Sequence, residues 1–469
     1  MLRRLGSNAV ANIVNGIAVA VFQLAMTAIV AKSGDAQQLA LWALAASIAG
    51  FAPLLSCNLV AVVTRRLASQ SQDGEPLEVH QALVLNEAQL LSKQLTFAGL
   101  GIALLLMALV PIAYPLIIGN DILTSSVLVG FFFAGSCWVI FTQPEQGWLI
   151  STHRNWSIAS ANLGARLLAL LVFYLLLAVV QLPYWLAVAF CSIALWSGVW
   201  ILRLLAPLPN IAFDAGKAKK EQKKIRDAAQ VFAIWSLASA ITQAATIPIV
   251  AYIAPTVSPY VFLAFTLIAI IVAGISAAAN AILAPLAKFL AIGDKNSALR
   301  ITLFATAILW IGYMTASLSV YFLLDEITIL WVDHTILNSQ YKFCFILLAM
   351  QYGLRSTALI PSLVLAMGGK LRALFLLPIV EASSVLALAI PAAFTLGPYA
   401  FLLGLCLAGS VGAVTTTWYT ASNVLCGEPK SERHRVLLSL VVFLQVLTLA
   451  VWGYVVYTNF SQLKSLIPI

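Results

Sequence analysis

Four charged side chains lie inside segments that are otherwise apolar: Arg166, Arg355, Glu145 and Glu381. A charge inside a bilayer is rare and costly, so each must either act on something or be neutralised by a neighbour. Guanidinium suits the first role, because it grips a phosphate through parallel N–H···O bonds and stays charged at low dielectric. At 1.5 Å per residue, both arginines fall roughly 15 Å into their segments, beyond easy reach of the surface. One or both would then line a wet cavity and bind an anion. Paired with Glu145 or Glu381 they would instead lock helices together, and two acids for two arginines is the right count for that. The sequence leaves both readings open. Glu145 and Glu381 are also the intramembrane acids available for coupling to an ion.

Around these charges stand neutral polar groups with helical spacing. Asn155, Asn162 and Arg166 fall at i, i+7 and i+11, one stripe that turns Arg166 away from lipid. In the opening segment Asn8, Asn12, Asn15 and Gln23 fall within roughly 80° of one another, and Ser236, Ser239, Gln243 and Thr246 repeat the pattern further on. Such side chains can glue helices at about 0.6 to 2 kcal/mol per bond, but four on one line read as a wall of a wet passage. Trp148, Trp156, Trp185 and Trp331 sit at segment ends as interfacial anchors. Trp138 and Trp310 lie nearer segment centres, where core packing competes with stacking on a sugar. His80, His153, His334 and His434 belong to loops or interfaces and read as solvated. The six cysteines lack the spacing of a metal site or disulfide framework and read as packing residues. Neither a cofactor nor a metal is implied.

The elements that must position these residues follow from composition. With 62% hydrophobic and 9% charged residues over 469 positions, the chain lies outside the soluble range and reads as an all-α integral membrane protein. Its apolar runs suit helices crossing roughly 30 Å of hydrocarbon, not short barrel strands. About thirteen spans are expected: 8–31, 38–63, 94–118, 124–150, 157–180, 184–206, 231–254, 260–287, 301–324, 341–366, 373–396, 399–425 and 436–458. With the N-terminus cytoplasmic, only Lys32, Lys342 and Lys464 of the 26 Lys and Arg fall beyond the far face, which is the positive-inside signature and places the C-terminus outside. The net charge of +9 then reflects loops facing anionic lipid, with no need for nucleic acid. Residues 75–95 read as an amphipathic surface helix feeding the third span, and 207–230 as a basic, solvated cytoplasmic linker. The expected organisation is a six-helix lobe over 1–206, the linker, a second six-helix lobe over 231–426 and one extra helix in 427–469.

The lobes also look alike. In each, the fourth span ends near a proline, a basic turn follows, and the fifth span carries an ionisable residue: Pro144 precedes Arg166 by 22 residues, Pro361 precedes Glu381 by 20. Transporters are often built from such repeats, with the substrate between them. Prolines including Pro111, Pro248, Pro285 and Pro378 should kink their spans.

Four stretches carry a resemblance: LALWALAASIAGFAPLLSCNLVAVVTRRLASQ (39–70), APLAKFLAIGDKNSALR (284–300), ITILWVDHTI (327–336) and LIPSLVLAMGGKLRALFLL (359–377). In aggregate, over residues 1–425, they resemble the O-antigen (Wzx-type) polysaccharide flippases of the multidrug, oligosaccharidyl-lipid and polysaccharide exporter superfamily. The resemblance implies two facing lobes, alternating access, and transfer of an undecaprenyl-diphosphate-linked oligosaccharide across a bacterial inner membrane. Arg166 and Arg355 would meet the diphosphate; Asn12, Asn15, Asn162, Gln23, Gln243 and Trp138 would meet the glycan. Partners would be that substrate, membrane lipids and other surface-glycan assembly proteins. Two relatives are alternatives. Ion-coupled drug exporters usually place an acid in the first, second, seventh or eighth span, where this chain has none, and lipid II exporters have arginines in their first helices. An integral-membrane glycan polymerase or glycosyltransferase would need a charged set in a sizeable external loop, which is lacking.

Overall fold

The computed structural model describes residues 2–33, 36–68, 77–118, 122–152, 154–205, 222–223, 225–227, 229–230, 233, 237–238, 240–332, 338–367, 373–425 and 432–459. Among them every regular element is helical, and twelve helices are long and apolar enough to cross a membrane. The all-α reading holds for a physical reason: hydrocarbon offers no hydrogen bonds, so a crossing segment must satisfy its backbone internally. The chain is a multi-pass membrane protein. The twelve correspond to every expected span except the seventh, of which a π-helical turn (Ala240–Ala244) and a helix (Thr246–Ile253) are described. Most of the linker lies outside the described residues, as do Ser236, Ser239, His153 and His334; Asn8, Asn12 and Gln243 are described in backbone only.

The chain divides into two compact units. Unit 1 comprises Met1–Val30 and Gly34–Pro248, and unit 2 comprises Ala31–Ser33 and Ile249–Ile469.

In unit 1 three expectations are corrected. The second span is not one helix: it runs Ala36–Ala49, breaks into a 3-10 turn (Ala52–Ser56), and restarts as Leu59–Ala68. Pro53 has no N–H to give, and Cys57 (φ 51°) and Asn58 (φ 48°) are left-handed, so the helical ladder cannot pass. The restarted helix finds a partner elsewhere, because the Val60 N–H donates to Gln143 Oε1 at 3.0 Å and Thr64 Oγ1 to the Gly147 carbonyl at 3.1 Å. Second, residues 77–95 are not a separate surface helix but the first turns of one unbroken helix, Leu77–Ala113. Val84, Leu85 and Ala88 bury against Leu59, Val62, Val63 and Leu67. Third, the end of the linker is not solvated throughout, since Ile225 joins the same cluster and Arg226 Nη2 donates to Gln94 Oε1 at 3.4 Å. An apolar residue at the end of a basic run has more to gain from that groove than from water.

The fourth span is also broken, into Ile122–Ser136, Trp138–Phe141 and Gln143–Ser151. Ser92 of the long helix donates to the carbonyls of Ile140 (2.9 Å) and Phe141 (3.0 Å), which fixes the short middle piece. The fifth span, Asn155–Tyr174, ends in a π-helical turn at Leu175–Val179, and the sixth is Tyr184–Leu195 followed by Ser197–Leu205.

Unit 2 is built from Ser258–Ile292, Lys295–Phe322, Ser339–Ser356 with Leu359–Met367, Ala373–Leu396, Pro398–Leu425 and Glu432–Thr458. Gly293 at φ 81° closes the first helix and Asp294 caps the next, accepting from the Ser297 N–H at 3.0 Å. Hydrogen bonds from the Ser297 side chain and backbone N–H hold the Asp294 carboxyl below the usual aspartate pKa. The last helix is bound into the unit: Gln445 accepts from Ser410 Oγ (2.8 Å) and Thr448 Oγ1 from the Trp310 indole N–H (3.0 Å). Trp310 is therefore a core residue. His434 is buried, not solvated, with Nδ1 3.2 Å from Ser422 Oγ, because the start of the last helix, which carries it, packs against the Ala421–Leu425 turn.

Candidate functional site

Each intramembrane charge has a definite environment, and the two arginines differ. On the fifth span the exposed side chains include Trp156, Leu163, Leu167, Leu168, Leu171 and Tyr174. Asn155 and Asn162 lie on the opposite, buried face with Ala161, Ala165 and Ala169. Arg166 shares that face and is half-buried. Its Nη1 donates to the Asn162 carbonyl at 3.3 Å and to Asn162 Oδ1 at 2.9 Å, and its guanidinium lies 5.8 Å from the centroid of the Trp138 ring. Among the described residues no carboxylate pairs with it. Asn162, Trp138 and Arg166 are thus brought together.

Trp138 holds its place because Gly198 of the sixth span lets the ring close on the backbone. A Cβ there would stand 2.7 Å from Trp138 Cζ3. The indole is 2% exposed, so it is both core residue and seat for a cation.

Glu145 does not pair with Arg166. It is buried on the Gln143–Ser151 helix, where Oε1 accepts from Gln89 Nε2 at 3.2 Å and lies 3.7 Å from Arg203 Nη2, while Oε2 has no partner. The broken fourth span aims it there, toward the long third helix and the end of the sixth.

In unit 2 the arginine is paired. Arg355 Nε meets Glu381 Oε1 at 3.1 Å, with both side chains largely buried. Glycines make the room: a Cβ on Gly412 would approach Glu381 Cβ to 3.1 Å, and one on Gly409 would reach Arg355 Cβ at 4.0 Å. Of the two alternatives left open by sequence, the helix-locking ion pair holds for Arg355 with Glu381.

The amide stripe is visible in part. Asn15 and Gln23 are half-buried at the edge of the face formed by Ala11, Ala18, Phe22 and Met26, and Asn15 Oδ1 is buried without a hydrogen-bond partner. The side chains of Asn12 and Gln243 lie outside the described residues.

With this geometry established, the arrangement of helices can be set beside known structures. An outward-facing multidrug resistance MATE family transporter of the MOP superfamily superposes with a TM-score of 0.65 over 90% of this chain and 95% of that one, at 13% identity. The fold is that of the MATE transporters. An inward-facing structure of such a transporter gives a TM-score of 0.65 at 12% identity, covering 89% of this chain and 98% of that one. A MATE structure in a bent conformation gives 0.62 at 12% identity over 94% and 96%. No protein-family model and no curated protein matches the sequence.

Sequence reasoning missed Arg203, Gln89, Ser92 and Gly198. Arg203 sits at the end of a span, where a basic residue reads as a topology signal. The others are polar or small residues whose partners lie on different helices, and only the glycine's position within an apolar run hinted at a close approach.

Proposed function

We propose that this protein is a flippase for a lipid-linked oligosaccharide. Its cargo is a surface-glycan repeat unit on undecaprenyl diphosphate, moved across a bacterial inner membrane by alternating access of the two units. The observation that carries the reading is Arg166: a cation on the buried face of a spanning helix, seated on Trp138 and Asn162, with no acid among the described residues to neutralise it. Such a group attracts an anion and repels the organic cations that a drug exporter would carry. Arg355 is committed to Glu381, so the diphosphate falls to Arg166. The amides of the first helix, Asn15 and Gln23 with Asn12, offer neutral hydrogen bonds of the kind that sugars take, and Asn15 Oδ1 is unpartnered. Glu145 and Glu381 are the acids that a coupling ion would use.

Multidrug export by the same superfamily is the second reading, supported by the names of the neighbouring structures. One experiment separates the two. In cells whose surface glycan depends on this protein, Arg166→Glu should abolish export and leave complete glycan units on the cytoplasmic leaflet, with membrane insertion and drug susceptibility unchanged. Full export by both Arg166→Ala and Arg166→Glu would rule out the diphosphate role. Loss of drug resistance with normal glycan would favour the second reading. Cysteines placed at Asn12, Asn15, Arg166 and Gln243, in a background without the native cysteines, should react with an impermeant thiol reagent; protection of all four would exclude a wet passage.

A further inference from the structure

Three guanidinium groups in unit 1 lie over aromatic rings, and all three rings belong to the broken fourth span. Arg166 lies over Trp138 at 5.8 Å, Arg203 over Phe141 at 5.0 Å and Arg154 over Trp148 at 5.8 Å. The rings stand at i, i+3 and i+10, two on the piece Trp138–Phe141 and one on the next, Gln143–Ser151. Exposure rises along the series. Arg166 is half-buried, the Arg203 side chain is 44% exposed, and Arg154 is exposed. Arg154 Nη2 also donates to the Leu205 carbonyl at 2.9 Å, at the end of the helix that carries Arg203.

A ring beneath a guanidinium covers one face and fixes its plane, which leaves the N–H edge oriented for an oxyanion. We propose that Arg203 is a second binding step for the diphosphate of a prenyl-linked substrate, which it receives in the more exposed part of this series and passes inward to Arg166. The inference rests on the flippase reading. Its second support is the way Arg203 is held. Glu145 lies 3.7 Å away, longer than a good hydrogen bond, and keeps Gln89 as a separate partner at 3.2 Å. Arg203 can therefore turn to a more highly charged ligand without leaving Glu145 unbonded. A diphosphate offers more charge and several acceptor oxygens, so it outcompetes one distant carboxylate.

The test uses the full-length protein in nanodiscs of phosphatidylcholine, with geranylgeranyl diphosphate as the probe and binding followed by calorimetry and stopped-flow. Arg203→Gln is expected to weaken the probe about tenfold, the scale of one charge-assisted hydrogen bond, mainly by slowing association. Arg166→Gln should weaken it at least as much, mainly by speeding dissociation. Glu145→Gln removes the competing carboxylate and should tighten binding severalfold. Because Arg203→Gln alone leaves a buried acid with one partner fewer, the double variant Glu145→Gln/Arg203→Gln provides a folded comparison and should still bind weakly.

Full affinity in Arg203→Gln and in the double variant, with loss only in Arg166→Gln, would overturn the second step and leave the flippase reading standing. Full affinity in all of them would overturn that reading as well. Weaker binding in Glu145→Gln would make Arg203 a purely structural partner and overturn the proposal. Phosphatidylglycerol in the discs should leave the probe's dependence on Arg203 intact; if it abolishes that dependence, the site takes a phospholipid headgroup and the substrate step falls.

Discussion

Counted from the two prolines, the units place different chemistry at the same position. Trp138 stands six residues ahead of Pro144, and Arg355 stands six ahead of Pro361. Each faces the ionisable residue of the following span, so unit 1 sets Arg166 on a ring at 5.8 Å whereas unit 2 sets Arg355 on a carboxylate at 3.1 Å. The ion pair closes on itself: its charges cancel, and what remains is a clamp between the tenth and eleventh spans. A ring orients a guanidinium but cannot neutralise it, so unit 1 keeps a positive charge. The matching positions thus hold an ion-paired arginine locked in one unit and an arginine seated on a ring in the other.

The largest test of this difference is stability. Glu381→Ala strands Arg355 in a largely buried setting and should cost about 3 to 5 kcal/mol, whereas Arg166→Ala strands no acid and should cost less than about 1 kcal/mol. Unfolding in mild detergent with a chemical denaturant measures both. The double variant Glu381→Ala/Arg355→Ala should be more stable than Glu381→Ala alone, because it removes the unpaired charge. Equal losses for Arg166→Ala and Glu381→Ala would erase the distinction between lock and seat.

Smaller effects should follow from the glycines that make room for each pair. Gly198→Ala would drive a methyl group to 2.7 Å from the Trp138 ring, which is rigid and buried, and should cost about 1 to 3 kcal/mol. It should also weaken binding of an anionic probe, since the ring carries Arg166. Gly412→Ala brings its methyl only to 3.1 Å from Glu381 Cβ, on a more adaptable chain, and should cost less than about 1 kcal/mol. Anion binding unaffected by Gly198→Ala would show that the ring does not hold Arg166 in its working position.

Much of this architecture was legible in the residues. Apolar run length marks a crossing helix because each peptide group must bond within its own segment, so the edges of the first, fifth and last spans can be read directly. The stripe of Asn155, Asn162 and Arg166 was legible for the same kind of local reason, since helical periodicity alone decides which residues share a face. The breaks at Cys57 and Thr142 were not. Each is stabilised by a donor or acceptor from another helix, Gln143 for the first and Ser92 beside the second. The linker misled for a related reason: its charge describes its solvation, but the burial of Ile225 depends on a groove that the restarted second span creates.

Sequence alone determined that this is an all-helical membrane protein and that Arg166 shares a face with Asn155 and Asn162, opposite the exposed leucines. Those properties follow from composition and period, which each segment carries by itself. Which arginine meets an acid was decided only by the tertiary structure. Glu145 and Glu381 look alike along the chain, but kinks and glycine contacts aim one at Arg203 and the other at Arg355. An ion pair depends on a few ångströms between separate helices, a distance that no single segment encodes.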